Sequence, residues 1–368
     1  MRLRHRAHSP APARTPPSVH RRRRTIRRHL RAALIAVVLT TTLSAVALVS
    51  VAPTAHAASY ISSTNWPVLF IHGFSGTNPN GSSNGVDCNA TWGSAESYLR
   101  GSHNINGQSL HWTGQFITLG YYTGDTNCNV SLGSYASHCS NYNAGNQGTN
   151  NETLYHLACE LDWYIWLNWS QYGKNVQIVT HSMGGLIARY GIYQWSRHYN
   201  SSFTAITNLY VQDVVTLDTP HGGVPVVSLF ACGNCTQFDE MQSPDNFMQE
   251  LYNGTTTNGV FHPGQNPQGA GWGTDWTLMG SFGSNFGIPC DVVEYQYHSA
   301  TYMAGGHKSG FYTPCYDHGG FLTDTSDNGD ATIDWCDGCS TDPASWHHWT
   351  GAPHALHHMF YALYLSNW

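Results

Sequence analysis

An α/β fold, with a mostly parallel sheet and helices on both of its faces, is what this chain predicts, and three observations predict it. The run Val176–Thr180 is apolar or β-branched at four of its five positions, then passes through His181-Ser182-Met183-Gly184-Gly185 into Leu186-Ile187-Ala188-Arg189-Tyr190 at helical spacing. A second apolar run, Pro67–Ile71, enters a His72-Gly73-Phe74 turn. Strand-like runs then alternate with helical ones along the chain, the pattern of parallel strands joined by crossover helices.

In chain order, the Val68–Ile71 strand is followed by a polar, glycine-rich stretch over 77–113 with a short helix at Ser94–Arg100. Phe116–Tyr122 reads as the next strand. Asn151 is placed to cap a long helix in which Leu154, Leu157, Ala158, Leu161 and Ile165 share one face. After the Val176–Thr180 strand and its helix, Ile206–Leu217 reads as a strand ending at Asp218-Thr219-Pro220-His221-Gly222. Residues 224–290 are irregular and carry large apolar side chains such as Phe238, Trp276 and Met279. They read either as a small satellite core under long loops or as a loop-rich cap with an apolar wall. Asp291–Thr301 reads as the last strand and Ala355–Ser366 as a C-terminal helix.

The first 57 residues carry eleven arginines and no acid, then an apolar run Ala32–Ala52 and the small-x-small pattern Ala55-His56-Ala57. They read as a secretory signal peptide, with cleavage expected before Ala58. Arg27-Arg28 leaves twin-arginine export open beside the general route. The expected organisation is therefore a signal peptide over 1–57 and one catalytic domain over 58–368, with 224–290 as the cap insertion. After cleavage no integral membrane span is expected, and the product is expected to be secreted and monomeric. Of the 16 basic residues, removal of eleven leaves five against 22 acids, a net charge near −17. Such a surface repels a phosphate backbone, so nucleic acid is excluded as a partner. All ten cysteines lie beyond the leader, and an even count in an exported chain reads as up to five disulfides. Cys232-x-x-Cys235 and Cys336-x-x-Cys339 have zinc-ribbon spacing but no hairpin knuckle pattern around them.

The chemistry is concentrated at Ser182. A serine at the apex of a tight strand-to-helix turn projects its hydroxyl off the sheet beside helical N–H groups, and only small residues fit two positions away, where strand and helix nearly touch. Gly184 fills the rear position, while Thr180 stands at the front one. Acyl transfer also needs two N–H donors where a carbonyl oxygen turns negative, and the amides of Met183 and Phe74 are the expected pair. His72 is read as a residue that orders this loop.

With Phe70-Ile71-His72-Gly73-Phe74, Thr180-His181-Ser182-Met183-Gly184-Gly185 and Thr219-Pro220-His221-Gly222-Gly223 together, the sequence resembles the α/β-hydrolase superfamily, and within it the secreted lipases and esterases. The likeness covers the strands and the last helix, and hardly touches 77–150 or 224–290. It implies the order serine, acid, histidine, with the base late in the chain. His354, in Gly351-Ala352-Pro353-His354-Ala355-Leu356, resembles the lipase setting and is the expected base, with His348 next. Asp330, 24 residues before it, is the expected acid, with Asp327 and the strand-end Asp218 as rivals.

The resemblance implies an ester or lipid substrate, an acyl-enzyme and no cofactor. A triacylglycerol lipase or esterase is the first expectation; a polyester depolymerase or an acyltransferase on the same triad is the alternative. The carboxylates at Asp324, Asp327, Asp330, Asp334 and Asp337 are also able to hold a structural Ca²⁺. From a different class, a non-catalytic binding protein on a hydrolase fold would use the 13 tryptophans and 21 tyrosines to stack on a polymer.

Overall fold

The computed structural model describes residues 63–75, 85–105, 107–197, 200–224, 235–242, 245–253, 274–285, 288–293, 298–303, 306–337 and 342–365. The leader and about half of the expected cap, chiefly 225–234 and 254–273, lie outside them. Among the described residues the strands are β1 (Val68–Ile71), β2 (His103–Ile105), β3 (Gln108–Leu110), β4 (Phe116–Gly120), β5 (Val130–Ser131), β6 (Val176–His181), β7 (Val211–Leu217), β8 (Asp275–Ser281), β9 (Ser284–Asn285), β10 (Ile288–Pro289), β11 (His307–Thr313), β12 (Ala331–Asp337) and β13 (His347–Ala352). The helices are α1 (Cys88–Arg100), α2 (Leu154–Asn168), α3 (Met183–Arg197), α4 (Ser201–Thr204), α5 (Thr236–Met241), α6 (Asn246–Asn253), α7 (His298–Thr301) and α8 (Ala355–Tyr364).

Nine of these strands form one sheet in the order β13-β12-β11-β8-β7-β6-β1-β4-β5. From β5 to β11 every pairing is parallel, and β12 and β13 extend the edge antiparallel. Successive side chains on a strand point to opposite faces, and β1 uses both. Leu69 and Ile71 pack with Leu157, Leu161, Leu186 and Ile187 of α2 and α3. Val68 and Phe70 pack with Trp92, Leu99, Met359 and Phe360 of α1 and α8. Each fully buried side chain of this size contributes roughly 1.5–3 kcal/mol, so a one-residue slip of β1 would exchange both faces and is disallowed. The α/β reading with helices on both faces is what the chain adopts.

Several boundaries move. The helix expected at Ser94–Arg100 begins at Cys88, because Asp87 accepts from the Asn89 and Ala90 amides and caps it. The long helix is capped by Thr153, whose side chain accepts from His156 N, rather than by Asn151, which accepts from Thr236 N instead. The largest change is at the C-terminal half. Asp275–Ser281, inside the expected cap, is a wholly buried central strand, so the insertion cannot extend to 290. Asp291–Val293 is not strand, and His298–Thr301 is helical. The last parallel strand is instead His307–Thr313.

Disulfides join Cys88 to Cys128, Cys139 to Cys159 and Cys290 to Cys315. Cys235 and Cys336 are disulfide-bonded as well, and no free cysteine is found among the described residues. Bridges closing loops of 20 to 40 residues each stabilise a chain by about 3 kcal/mol in the loop-entropy account. No helix among the described residues is long and apolar enough to cross a membrane.

Candidate active site

Ser182 lies between β6 and α3 with φ of +53°, a left-handed conformation that a non-glycine residue adopts only under local constraint. The constraint is visible in the glycines around it. A Cβ on Gly184 would stand 2.5 Å from Ile71 O, and one on Gly73 would stand 2.6 Å from Ser182 Cβ. Helix, strand and the loop after β1 therefore converge on the serine, and only glycine lets them. Thr180, at the position where a small residue was expected, is fully buried beside β7.

The loop after β1 is pinned by its carbonyls. Tyr121 Oη–H donates to both His72 O and Gly73 O at 2.8 Å, and His72 Nδ1–H donates to Gly73 O at 2.8 Å. His72 Nε2 faces Asp125 at 3.0 Å and its ring stacks on Tyr121. His72 orders this loop. Phe74 follows Gly73 directly, and Met183 opens α3 immediately after Ser182.

The partner of Ser182 is His318, with Oγ and Nε2 2.7 Å apart. On the other side of the ring, Nδ1 lies 2.8 Å from Asp291 Oδ2 and 3.7 Å from Asp218 Oδ2. The sheet explains the convergence. Ser182, Asp218, Asp291 and His318 follow β6, β7, β8 and β11, four adjacent parallel strands, so all emerge at the carboxyl edge where an open α/β sheet binds its ligands. The Cys290–Cys315 disulfide sits one residue before Asp291 and three before His318, tying the loops that carry them together. His181 Nε2–H donates to His318 O at 2.5 Å and fixes the backbone behind the ring.

Two carboxyls under one imidazole set the electrostatics. Burial alone would lower the pKa of His318, but the hydrogen bonds and negative charges of Asp218 and Asp291 outweigh it and push it up to about 10. Burial, and then the charge of Asp291, push Asp218 up to about 7. Asp291 is held below the usual range, because its bonds to His318 and Asp218 outweigh the cost of burial. Neighbouring buried carboxylates do not both ionise cheaply. Asp218 is therefore the more readily protonated of the two, and Asp291 holds its charge more firmly. Asp218 has φ of +49° and accepts from Ser281 N at 3.1 Å.

The residues expected from the lipase pattern are placed elsewhere. His354 is engaged at both nitrogens: Nδ1 with Asp324 Oδ2 at 2.7 Å and Nε2 with Asp330 Oδ1. Neither nitrogen is left for Ser182, so His354 and Asp330 meet each other but not the serine, and this corrects the expected pairing. His348 is largely exposed and pairs with Asp334. Asp327 faces His103, His357 and Tyr98. The five aspartates after Leu322 thus do not meet at one shared point: Asp324 and Asp330 share His354, Asp327 faces His103 and His357, Asp334 pairs with His348 and Asp337 faces His307. Of the acids weighed from the sequence, Asp218 alone is at the serine's histidine.

His318 and Asp291 were the residues missed. β11 reads as no strand because Lys308, Ser309 and Gly310 break its apolar run, yet each has a tertiary reason. Ser309 Oγ lies 2.8 Å from His358 Nε2, Lys308 Nζ lies over the Trp346 ring, and a Cβ on Gly310 would strike Phe282 at 2.1 Å. The signal available was cysteine placement, since Cys290-Asp291 and Cys315-Tyr316-Asp317-His318 bring two chemical groups beside two bridgeable thiols.

Residues 155–241 match the family model described as "Putative serine esterase (DUF676)". No curated protein sequence matches the chain. Among solved structures, the Bacillus licheniformis lipase BlEst2 in its mature form is similar at 15% identity and a TM-score of 0.39, over 72% of this chain and 89% of that one. The Legionella pneumophila phospholipase PlaB is similar at 15% identity and 0.36, over 64% and 44% of the respective chains. Aspergillus fumigatus lipase B is similar at 13% and 0.35, over 76% and 55%. What decides the matter is the strand order together with the serine turn between β6 and α3. The chain has the α/β-hydrolase fold. In this fold Ser182, Asp218, Asp291 and His318 come after successive strands of the sheet, and β12, β13 and α8 follow the last of these strands in the chain.

Proposed function

We propose that this chain is an exported serine carboxylic-ester hydrolase, a lipase or esterase, with Ser182 as nucleophile, His318 as base and Asp291 as orienting acid. The observation that carries the reading is the continuous line Ser182 Oγ–His318 Nε2 at 2.7 Å and His318 Nδ1–Asp291 Oδ2 at 2.8 Å. Serine is a weak nucleophile until a base removes its proton, and the base needs its other nitrogen held in the right tautomer. Ser182 Oγ attacks the ester carbon while its proton passes to His318 Nε2. The oxygen that turns negative is held by the amides of Met183 and Phe74. Collapse releases the alcohol, which takes the proton from His318, and leaves an acyl group on Ser182. Water, activated by the same histidine, then releases the acid. Apolar esters fit the fold's resemblance to lipases, and the disulfides suit an oxidising compartment.

A fluorophosphonate probe tests the reading. The intact protein should be labelled at Ser182, and His318→Ala should abolish labelling while His354→Ala retains it. Equal labelling of His318→Ala and the parent would sink the assignment. A chain-length series of nitrophenyl esters, with emulsified triglyceride and polyester film beside it, then ranks the substrates. A protein that is never labelled yet adsorbs to polymer would be a binder.

A further inference from the structure

Away from Ser182, three segments distant in sequence bring Tyr98 of α1, His103 of β2, Asp327 of the loop before β12 and His357 of α8 to one point. His103 Nδ1 lies 3.2 Å from Asp327 Oδ2, and His357 Nδ1 lies 3.1 Å from Asp327 Oδ1. Tyr98 Oη lies 2.6 Å from His357 Nδ1 and also contacts Asp327. The three potential ligand atoms, one from each of His103, Asp327 and His357, lie within 4.8 Å of one another.

The orientation of His103 is what points to a ligand. Its Nε2 lies 2.7 Å from Tyr98 O, and a carbonyl can only accept, so Nε2 carries the hydrogen. Nδ1 is then the nitrogen turned toward Asp327. A ring N–H held by a backbone carbonyl, with the other nitrogen facing inward, is how proteins fix a metal-ligating histidine. The ring is held further by stacking on Tyr98 at 3.8 Å between centroids, and by Gly101, where a Cβ would stand 2.9 Å from Nε2. Both histidines are mostly covered while Asp327 is half exposed, leaving a way in from solvent.

The geometry points to a zinc site formed by His103 Nδ1, His357 Nδ1 and the Asp327 carboxylate, with water or Tyr98 Oη completing four ligands. Two imidazoles and one carboxylate suit zinc rather than calcium or magnesium, which prefer all-oxygen sets. Tetrahedral zinc with bonds of about 2.0–2.1 Å places its ligand atoms roughly 3.3–3.4 Å apart; here each imidazole nitrogen approaches a different carboxylate oxygen, His103 Nδ1 at 3.2 Å from Oδ2 and His357 Nδ1 at 3.1 Å from Oδ1, and one atom from each of the three residues fits within 4.8 Å. Its role is structural: it clips the β2–β3 hairpin and the loop before β12 onto α8. It is independent of Ser182 and its histidine.

The test uses the full exported chain, stripped with chelator, titrated with zinc by calorimetry and with cobalt by absorption. One equivalent should bind, cobalt should show a tetrahedral visible spectrum, and zinc should raise Tm. His103→Ala, His357→Ala and Asp327→Asn should each weaken binding at least tenfold and lose the Tm shift. Asp327→Asn keeps the side-chain shape, so it decides the matter if a histidine variant does not fold. The proposal is overturned if the parent binds no zinc or if the variants bind as the parent does. It is equally overturned if zinc binds at Asp218, Asp291 and His318 instead, which a matching loss of fluorophosphonate labelling would reveal.

Discussion

Two corners of the molecule carry the same residue types: His318 with Asp291 and Asp218 beside Ser182, and His354 with Asp324 and Asp330 at the start of α8. In the first, carboxyls occupy the Nδ1 side of the ring and Nε2 faces a hydroxyl. In the second, carboxylates occupy both sides. A base needs that asymmetry: one nitrogen held so that the other can exchange a proton. With both nitrogens donating to carboxylates, His354 is an imidazolium staple. Burial lowers its pKa, but the bonds from Asp324 and Asp330 outweigh this and raise it. The two corners adjoin, since Tyr316, two residues before His318, donates to Asp324 and accepts from Ala355 N.

Exchanging the corners' residues in turn should separate them most sharply at the serine and the base. Ser182→Ala and His318→Ala should each lower kcat by roughly 10⁶-fold, while His354→Ala stays within a few-fold of the parent at equal folded fraction. Ester hydrolysis by purified, melting-checked protein measures this. If His354→Ala were the crippled variant, the roles assigned to the two corners would be reversed.

The acids should follow the same division. Asp291→Asn leaves the shape but lets His318 take the wrong tautomer, and about 10⁴-fold in kcat is the expected loss. Asp330, well exposed, should tolerate Asn with little change in rate.

The loop tie offers a smaller contrast. Replacing Cys290 and Cys315 together by Ala should cut kcat by about 10²-fold, the effect of displacing catalytic groups by about 1 Å. Removing Cys88 and Cys128 should lower Tm with rate preserved. Equal rates in both double variants would show that the bridge does not position the histidine.

Asp218 should matter through pH rather than through rate. Its negative charge favours the imidazolium of His318, so Asp218→Asn should lower the pKa of the base and make it available in more acid solution. The rising limb of kcat/KM should move acidward by about one pH unit, and an alkaline shift would contradict a charge on Asp218 that supports the His318 imidazolium.

The last contrast concerns stability alone. The pKa of His354 is raised in the folded state, so its contribution is complete below the unfolded value of about 6.5 and is lost as pH rises through the folded one. His354→Ala should therefore lower Tm more at mildly acid pH than at mildly alkaline pH. A deficit that grows with pH would mean the residue is neutral when folded.

What the sequence by itself determined is local in origin. Apolar periodicity placed β1, β6 and α3, and the small residues around Ser182 announced a tight turn, although the crowding of Gly184 in α3 against Ile71 O and His72 O is itself tertiary. Cysteine number pointed to disulfides through composition alone, and the structure pairs the described cysteines. Which histidine meets the serine was decided only by the tertiary structure. β11 is buried without being apolar, because Ser309, Gly310 and Lys308 are satisfied by His358, Phe282 and Trp346 from elsewhere in the chain. With that strand hidden, the histidine that follows it was hidden too. The helix-start histidine looked like the base because its neighbours in sequence match that setting, and only the sheet order shows that carboxylates hold both sides of its ring.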